Sequence, residues 1–271
     1  MRLPRWLTLG DLAPRRRLVV GAATALVVAA AAVVAVRLAT TDGTDASRPD
    51  QSRPGAVLLV PGYGGNSGSL AALADRIRAT GRTATVVSLP GDGTGDLQAQ
   101  ASALNDAVAR AGGPVDVVGY SAGGVVVRLW IARYQGEQRA RRVVTLGAPL
   151  HGARVAAAGS AFAPDACPVA CQQLVPGSSL LTGLEGSPVP QGLPWLSVWT
   201  VDDQTVQPPD SARLQGAVNV AVQNVCADAR VAHGQLPTDP LVTGLVLRAL
   251  GADPLAAPTR ADCAALRALG R

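Results

Sequence analysis

At 271 residues, 48% of them apolar, the chain is long enough to bury a sizeable core, but with one Phe, three Tyr and four Trp that core has to be built from Val, Leu and Ala. The net charge of +5 points at first sight to nucleic acid, yet residues 1–53 hold 8 Arg against 4 Asp, whereas residues 54–271 hold 16 Arg against 15 acids with no basic stripe or aromatic platform. Nucleic acid is therefore excluded as a partner of the globular part; every basic residue is Arg and none is Lys, a compositional bias rather than a binding signal.

In chain order, residues 1–17 form a basic N-terminal segment that ends in Arg15-Arg16-Arg17. Leu18 to Val36 is a run of 19 uncharged residues, just enough to span a hydrocarbon core at about 1.5 Å per residue. The arginines on its N-terminal side predict a cytoplasmic N-terminus, with everything after Arg37 outside the membrane. An uncleaved anchor is preferred to a cleaved signal peptide, which has a shorter apolar core and would release a secreted chain. Residues 37–54, rich in Thr, Asp, Ser, Pro and Arg, read as a disordered linker, and residues 55–271 as one domain. Its four cysteines, Cys167, Cys171, Cys226 and Cys263, suggest two disulfides in an oxidising compartment. Three pairings are possible, of which Cys167–Cys171 with Cys226–Cys263 is preferred. A metal site is disfavoured, because Cys-x3-Cys has no second ligand pair nearby.

Ala56 to Val60 is a short, wholly apolar strand, followed by the glycine-rich Pro61-Gly62-Tyr63-Gly64-Gly65-Asn66 and a helix from about Ser69 to Thr80. Thr83 to Leu89 is the next strand, and Asp96 to Ala111 the next helix. Val115 to Val118 runs as a strand into Gly119-Tyr120-Ser121-Ala122-Gly123, and Val125 to Tyr134 continues as a helix. Arg142 to Leu146 is a further strand. This alternation predicts an α/β fold with a mostly parallel, doubly wound sheet. Residues 150–193 carry Gly, Pro, Ser and two Cys, too long for an ordinary connection, and are expected to arch over the carboxyl edge as one wall of a cleft. Strands from Leu196 to Val201 and from Ala217 to Val222 follow, and a helix from Leu241 to Leu250 closes the chain.

A Gly-x-Ser-x-Gly match carries weight only in its context, and here a strand precedes it and a helix follows. That context lifts the Ser121 hydroxyl to the top of the sheet. A serine nucleophile needs a base, and the base needs an orienting acid. Of the two histidines, only His233 has an acid at a strand end between itself and Ser121. That acid is Asp202 or Asp203, and an extended backbone would point the two to opposite sides. His151, just past a strand, reads as a second base, a cleft-wall donor or, preferably, a hydrogen bonder that fixes its loop. The Ala122 N–H at the helix N-terminus and the Tyr63 N–H in the first glycine-rich loop are the candidate oxyanion donors. A phosphate-binding loop is ruled out for residues 61–66, since no Gly-Lys-Ser/Thr follows.

Val60-Pro61-Gly62-Tyr63-Gly64-Gly65, Gly119-Tyr120-Ser121-Ala122-Gly123-Gly124 and Thr145-Leu146-Gly147-Ala148-Pro149-Leu150-His151-Gly152 together resemble three motifs of small bacterial lipases of the α/β-hydrolase superfamily. Pro61 stands where those lipases usually carry His, and Leu150 replaces the first of a His pair. Asp203-Gln204-Thr205-Val206 and His233-Gly234-Gln235-Leu236 resemble the acid and histidine segments, which favours Asp203 over Asp202. Cys167 to Gln173 and Ser178 to Leu181 look like the lid-side region of exported actinobacterial-type relatives. The resemblance runs from about residue 56 to 245. It implies an α/β-hydrolase fold with a loop-rich insertion after the strand that follows Ser121, and a membrane-anchored or secreted, monomeric lipase or esterase. Ser121, Asp203 and His233 would be its triad, its substrate a small-molecule ester or lipid, and no cofactor would be needed. The alternatives are an acyltransferase of the cell envelope on the same triad, and a catalytically silent exported scaffold.

Overall fold

A computed structural model of the chain describes residues 23–32 and 48–271. The chain divides into two units, Met1–Ser47 and Arg48–Arg271. Of the first, residues 23–32 form an exposed helix, while segment 1–17, both ends of the stretch 18–36 and linker residues 37–47 lie outside the described residues. The localisation expected from that stretch, a single membrane pass with the domain outside, has to be corrected. The ten described helical residues reach about 15 Å, half a hydrocarbon core of about 30 Å. Among the described residues no helix is long and apolar enough to cross a membrane. Anchoring in a membrane, expected from the same stretch, is likewise not supported by any spanning helix among the described residues.

Within Arg48–Arg271 the described residues form one open, six-stranded, all-parallel sheet in the order β2-β1-β3-β4-β5-β6. The strands are β1 Ala56–Val60, β2 Ala84–Val86, β3 Val115–Tyr120, β4 Ala140–Leu146, β5 Trp195–Trp199 and β6 Val218–Ala221. Strand β1 is a continuous apolar run, and β3 and β4 are largely apolar beyond the charged residues near their amino ends, because both faces of the sheet are covered. Val57 and Leu59 pack with Leu70, Leu73 and Ile77 of α1 (Gly68–Arg78). Leu58 and Val60 pack on the other face with Leu104 of α2 (Leu97–Ala111) and Val125 of α3 (Ala122–Arg133). Parallel crossovers are right-handed, so the reversal of direction after β2 sends α1 to one face and α2 and α3 to the other. The strand order reverses between β1 and β3, so the connections that leave their carboxyl ends run to opposite faces of the sheet, the place where open α/β sheets form a crevice.

Edge strand β2 is shorter than the Thr83 to Leu89 expected, because it has only β1 to pair with. The ladder nevertheless continues past its ends, through Val57 N–H to Thr83 O at 2.9 Å and Val87 N–H to Leu59 O at 2.8 Å. The excursion after β4 contains three short helices, α4 (Arg154–Phe162), α5 (Val169–Gln173) and α6 (Ser179–Glu185). It docks on the loop after β2 through Ala170 N–H to Thr94 O at 3.1 Å and Gln173 Nε2 to Asp96 Oδ1 at 2.7 Å. Cys167 and Cys171 are bonded within it.

The C-terminal region holds α7 (Val222–Val225), α8 (Pro240–Ala249) and α9 (Cys263–Leu269). Helix α9 has no counterpart in the sequence expectations. It lies close on α8, since a Cβ on Gly244 would come within 2.0 Å of Leu266 O. The second disulfide, Cys226–Cys263, ties it across a separation of 37 residues. In the chain-entropy picture a loop of that length contributes about 4 kcal/mol, against about 2 kcal/mol for the four-residue separation of Cys167–Cys171. Both bonds are compatible with an oxidising compartment.

At the amino edge of the sheet, buried Asp116 of β3 pairs with Arg141 (Nε to Oδ1, 2.9 Å) and with Arg82. Arg141 and Arg142 spend their other donors on carbonyls that end α8, including Leu250 O and Ala249 O, and on Gln51. Gln51 is thereby held against β4.

Candidate active site

Ser121 follows the last residue of β3 with φ 53° and ψ −128°, a conformation that L-residues rarely adopt. Main-chain bonds hold it on both sides, Ser121 N–H to Leu146 O at 2.8 Å and Gly124 N–H to Ser121 O at 2.9 Å. The glycines of the motif are steric requirements. A Cβ on Gly119 would lie 2.7 Å from Gly124 Cα, and one on Gly123 would lie 2.3 Å from Val60 O. The strand-to-helix turn is therefore tighter than any side chain allows, and its apex projects Ser121 from the carboxyl edge.

His233 opens a 3-10 turn, His233–Gln235, between α7 and α8. Its Nε2 lies 3.0 Å from Ser121 Oγ, and its Nδ1 lies 2.6 Å from Asp203 Oδ2. Asp203 is fully buried, and its Oδ1 accepts from Thr205 N–H at 2.8 Å and Val206 N–H at 2.7 Å. Main-chain donors thus occupy one carboxylate oxygen and leave the other for the imidazole. Hydrogen bonds to an ionised carboxylate are short and strong, which fits the Asp203–His233 distance. The three residues form one continuous chain from the buried carboxylate to the hydroxyl.

Two further residues shape this chain. Gly147, with φ +55°, lies against the imidazole, and a Cβ there would stand 3.1 Å from His233 Cε1 and Nδ1 and 2.6 Å from Leu236 Cδ1. Tyr120 Oη donates to His233 O at 3.2 Å, with its ring centroid 5.3 Å from the imidazole. Burial first, then the Asp203 carboxylate, pushes the Tyr120 phenol up to about 12, so it stays a proton donor at any ordinary pH. Sequence reasoning found neither role. Gly147 offers the weak signal of a glycine at a strand end, and Tyr120 offers none, because its partner is a main-chain carbonyl 113 residues away.

The loop after β1 lies close to Ser121. A Cβ on Gly62 would sit 3.0 Å from Ser121 Cβ, so any side chain there would crowd the serine. Gly64 and Gly65 have positive φ, and Gly65 N–H bonds Gly62 O at 3.1 Å in a tight turn. Among the described residues, neither Tyr63 N–H nor Ala122 N–H has a hydrogen-bond partner. Ala122 is the first residue of α3, where N–H groups lack an intrahelical acceptor.

The remaining candidates lie elsewhere. Asp202 accepts from Gln223 Nε2 at 3.3 Å. His151 Nε2 lies 3.0 Å from Arg213 O and its main-chain N–H bonds Ser211 Oγ at 3.2 Å, so it fixes its loop.

No protein-family model and no curated protein sequence matches the chain. Solved structures do. Lipase B of Aspergillus fumigatus superposes with a TM-score of 0.62 at 18% identity, covering 83% of this chain and 63% of that one. The mature form of the Bacillus licheniformis lipase BlEst2 superposes with a TM-score of 0.59 at 18% identity, covering 77% of this chain and 96% of that one. The chain thus spans less than two thirds of the Aspergillus enzyme. With its open parallel sheet flanked by helices, it has the α/β-hydrolase fold of these lipases.

Proposed function

We propose that the chain is a serine hydrolase that cleaves carboxylic esters, with Ser121 as nucleophile, His233 as base and Asp203 as orienting acid. The observation that carries this reading is the unbroken line Asp203 Oδ2, His233 Nδ1, His233 Nε2, Ser121 Oγ, with links of 2.6 and 3.0 Å. Asp203 holds the imidazole in the tautomer that leaves Nε2 free to accept a proton, and it stabilises the imidazolium that forms. As His233 takes the hydroxyl proton, Ser121 Oγ bonds to the ester carbonyl carbon and its oxygen becomes an oxyanion. The free N–H groups of Tyr63 and Ala122 would receive that charge. Collapse expels the alcohol, protonated by His233, and leaves an acyl-Ser121. Water then attacks the acyl carbon as it gives a proton to His233, and His233 passes that proton to Ser121 Oγ as the acyl–oxygen bond breaks, releasing the acid and the free serine.

That these two structural neighbours are lipases supports an ester or lipid substrate. Hydrolysis of p-nitrophenyl butyrate by the purified chain tests the reading. Ser121→Ala should lower kcat by about four orders of magnitude or more, whereas equal rates for the two proteins would refute it.

A further inference from the structure

The triad histidine is carried by a short turn at the surface of the sheet, and such a turn needs something to keep its imidazole within hydrogen-bonding reach of two partners at once. Asp203 and Ser121 hold the two ring nitrogens, and Gly147 lies against one side of the ring. The main chain of His233 has its own restraint. Its carbonyl accepts from Leu236 N–H at 3.2 Å, within the turn, and from Tyr120 Oη at 3.2 Å, from outside it. Tyr120 is the residue before Ser121 and the last of β3. Its side chain packs on the apolar cluster that contains Val118, Val231, Leu236 and Leu241, and its ring tilts by 31° against the imidazole at 5.3 Å.

We infer that Tyr120 is a positioning residue that couples the nucleophile turn to the base: one rigid strand end sets where Ser121 Oγ stands and, through the phenol, where the His233 turn stands. This rests on the Ser-His-Asp reading above. The phenol reaches a main-chain oxygen, so the restraint acts on the whole turn and leaves both ring nitrogens to their chemical roles. A hydrogen bond of about 3.2 Å from a neutral donor is modest in energy. Its value lies in alignment, to which hydrolytic rates are steeply sensitive.

Tyr120→Phe keeps the ring and its packing and removes only the hydroxyl. On p-nitrophenyl butyrate the full chain carrying it should show kcat about 10-fold lower with KM unchanged, the loss expected for a slightly misplaced base. The proton resonance of His233 Nδ1–H should broaden or shift in the same variant, since its geometry to Asp203 relaxes. Tyr120→Leu, which removes the ring as well, should lose more. Wild-type kcat in Tyr120→Phe overturns the inference. So does a fall in rate that merely follows the fraction of folded protein, with the Nδ1–H resonance unchanged, because that marks a purely structural residue. Failure of the hydrolase reading itself is separate: Ser121→Ala would then match wild type, whatever Tyr120→Phe does.

Discussion

Asp202 and Asp203 are neighbours in the chain and belong to different networks. Asp203 Oδ2 meets His233 Nδ1 at 2.6 Å, while Asp202 Oδ2 meets Gln223 Nε2 at 3.3 Å. Strand β5 ends at Trp199, and the bond from Asp203 N–H to Thr200 O closes a turn that brings Asp203 back into the interior. Asp203 is fully buried there and Asp202 is not.

Exchange of the two carboxylates for amides should therefore separate them. Asp203→Asn presents the wrong tautomer to His233 and should lower kcat by about 10^4-fold. Asp202→Asn should stay within about threefold of wild type, because its side chain bonds neither Ser121 nor His233. Steady-state kinetics of the two variants on one ester checks this, and equal losses would remove Asp203 from its role.

Gly147 should tolerate no side chain. Its φ of +55° disfavours any L-residue, and the added methyl would push on His233 Cε1 and Leu236 Cδ1. Gly147→Ala should lower kcat by about 10- to 100-fold with KM little changed, as expected for a displaced base. A variant with wild-type kinetics would show that the imidazole position is not set from this side.

The alkaline limb of stability is unusually easy to read in this chain. It has no Lys, and all four cysteines are paired, so tyrosines are the side chains that dominate titration above pH 9 or so. Burial raises Tyr63 and, more strongly, Tyr120, which reaches about 12. A phenol with a folded pKa above its unfolded value of about 10 binds more protons in the folded state. Its contribution is complete below about pH 10 and is lost as pH climbs through 12. The urea midpoint should therefore fall over that window, and fall less in Tyr120→Phe. Phenolate absorbance should show one tyrosine titrating after the others. Three coincident titrations would contradict the buried hydrogen-bonded phenol.

How much of this was legible in the sequence depended on the range of the interaction. Ser121 was readable because its turn, its strand and its helix are local, and because the glycines that permit the turn stand at fixed offsets. His233 was readable because the chain has only two histidines, and chain order leaves one of them with an acid between it and Ser121. Asp203 could be separated from Asp202 by resemblance but not by spacing, since the direction of its side chain depends on a turn back to Thr200. Tyr120 and Gly147 escaped because their partner, His233, is distant from them in the chain. Helix α9 escaped for a related reason: seven alanine-rich residues carry little apolar period, and a disulfide and close packing on Gly244 hold them in place. At the other end, hydropathy alone extended Leu18–Val36 into a membrane span that the described helix, residues 23–32, does not supply.

The central claim is that Ser121 becomes acylated, and a fluorophosphonate that phosphonylates activated serines addresses it without any choice of substrate. Intact mass and peptide mapping after treatment of the folded, full-length chain should show a single adduct on Ser121. The adduct should be absent in Ser121→Ala and strongly slowed in Asp203→Asn. A folded chain that takes up no label, or that is labelled equally well without the Ser121 hydroxyl, would contradict the account.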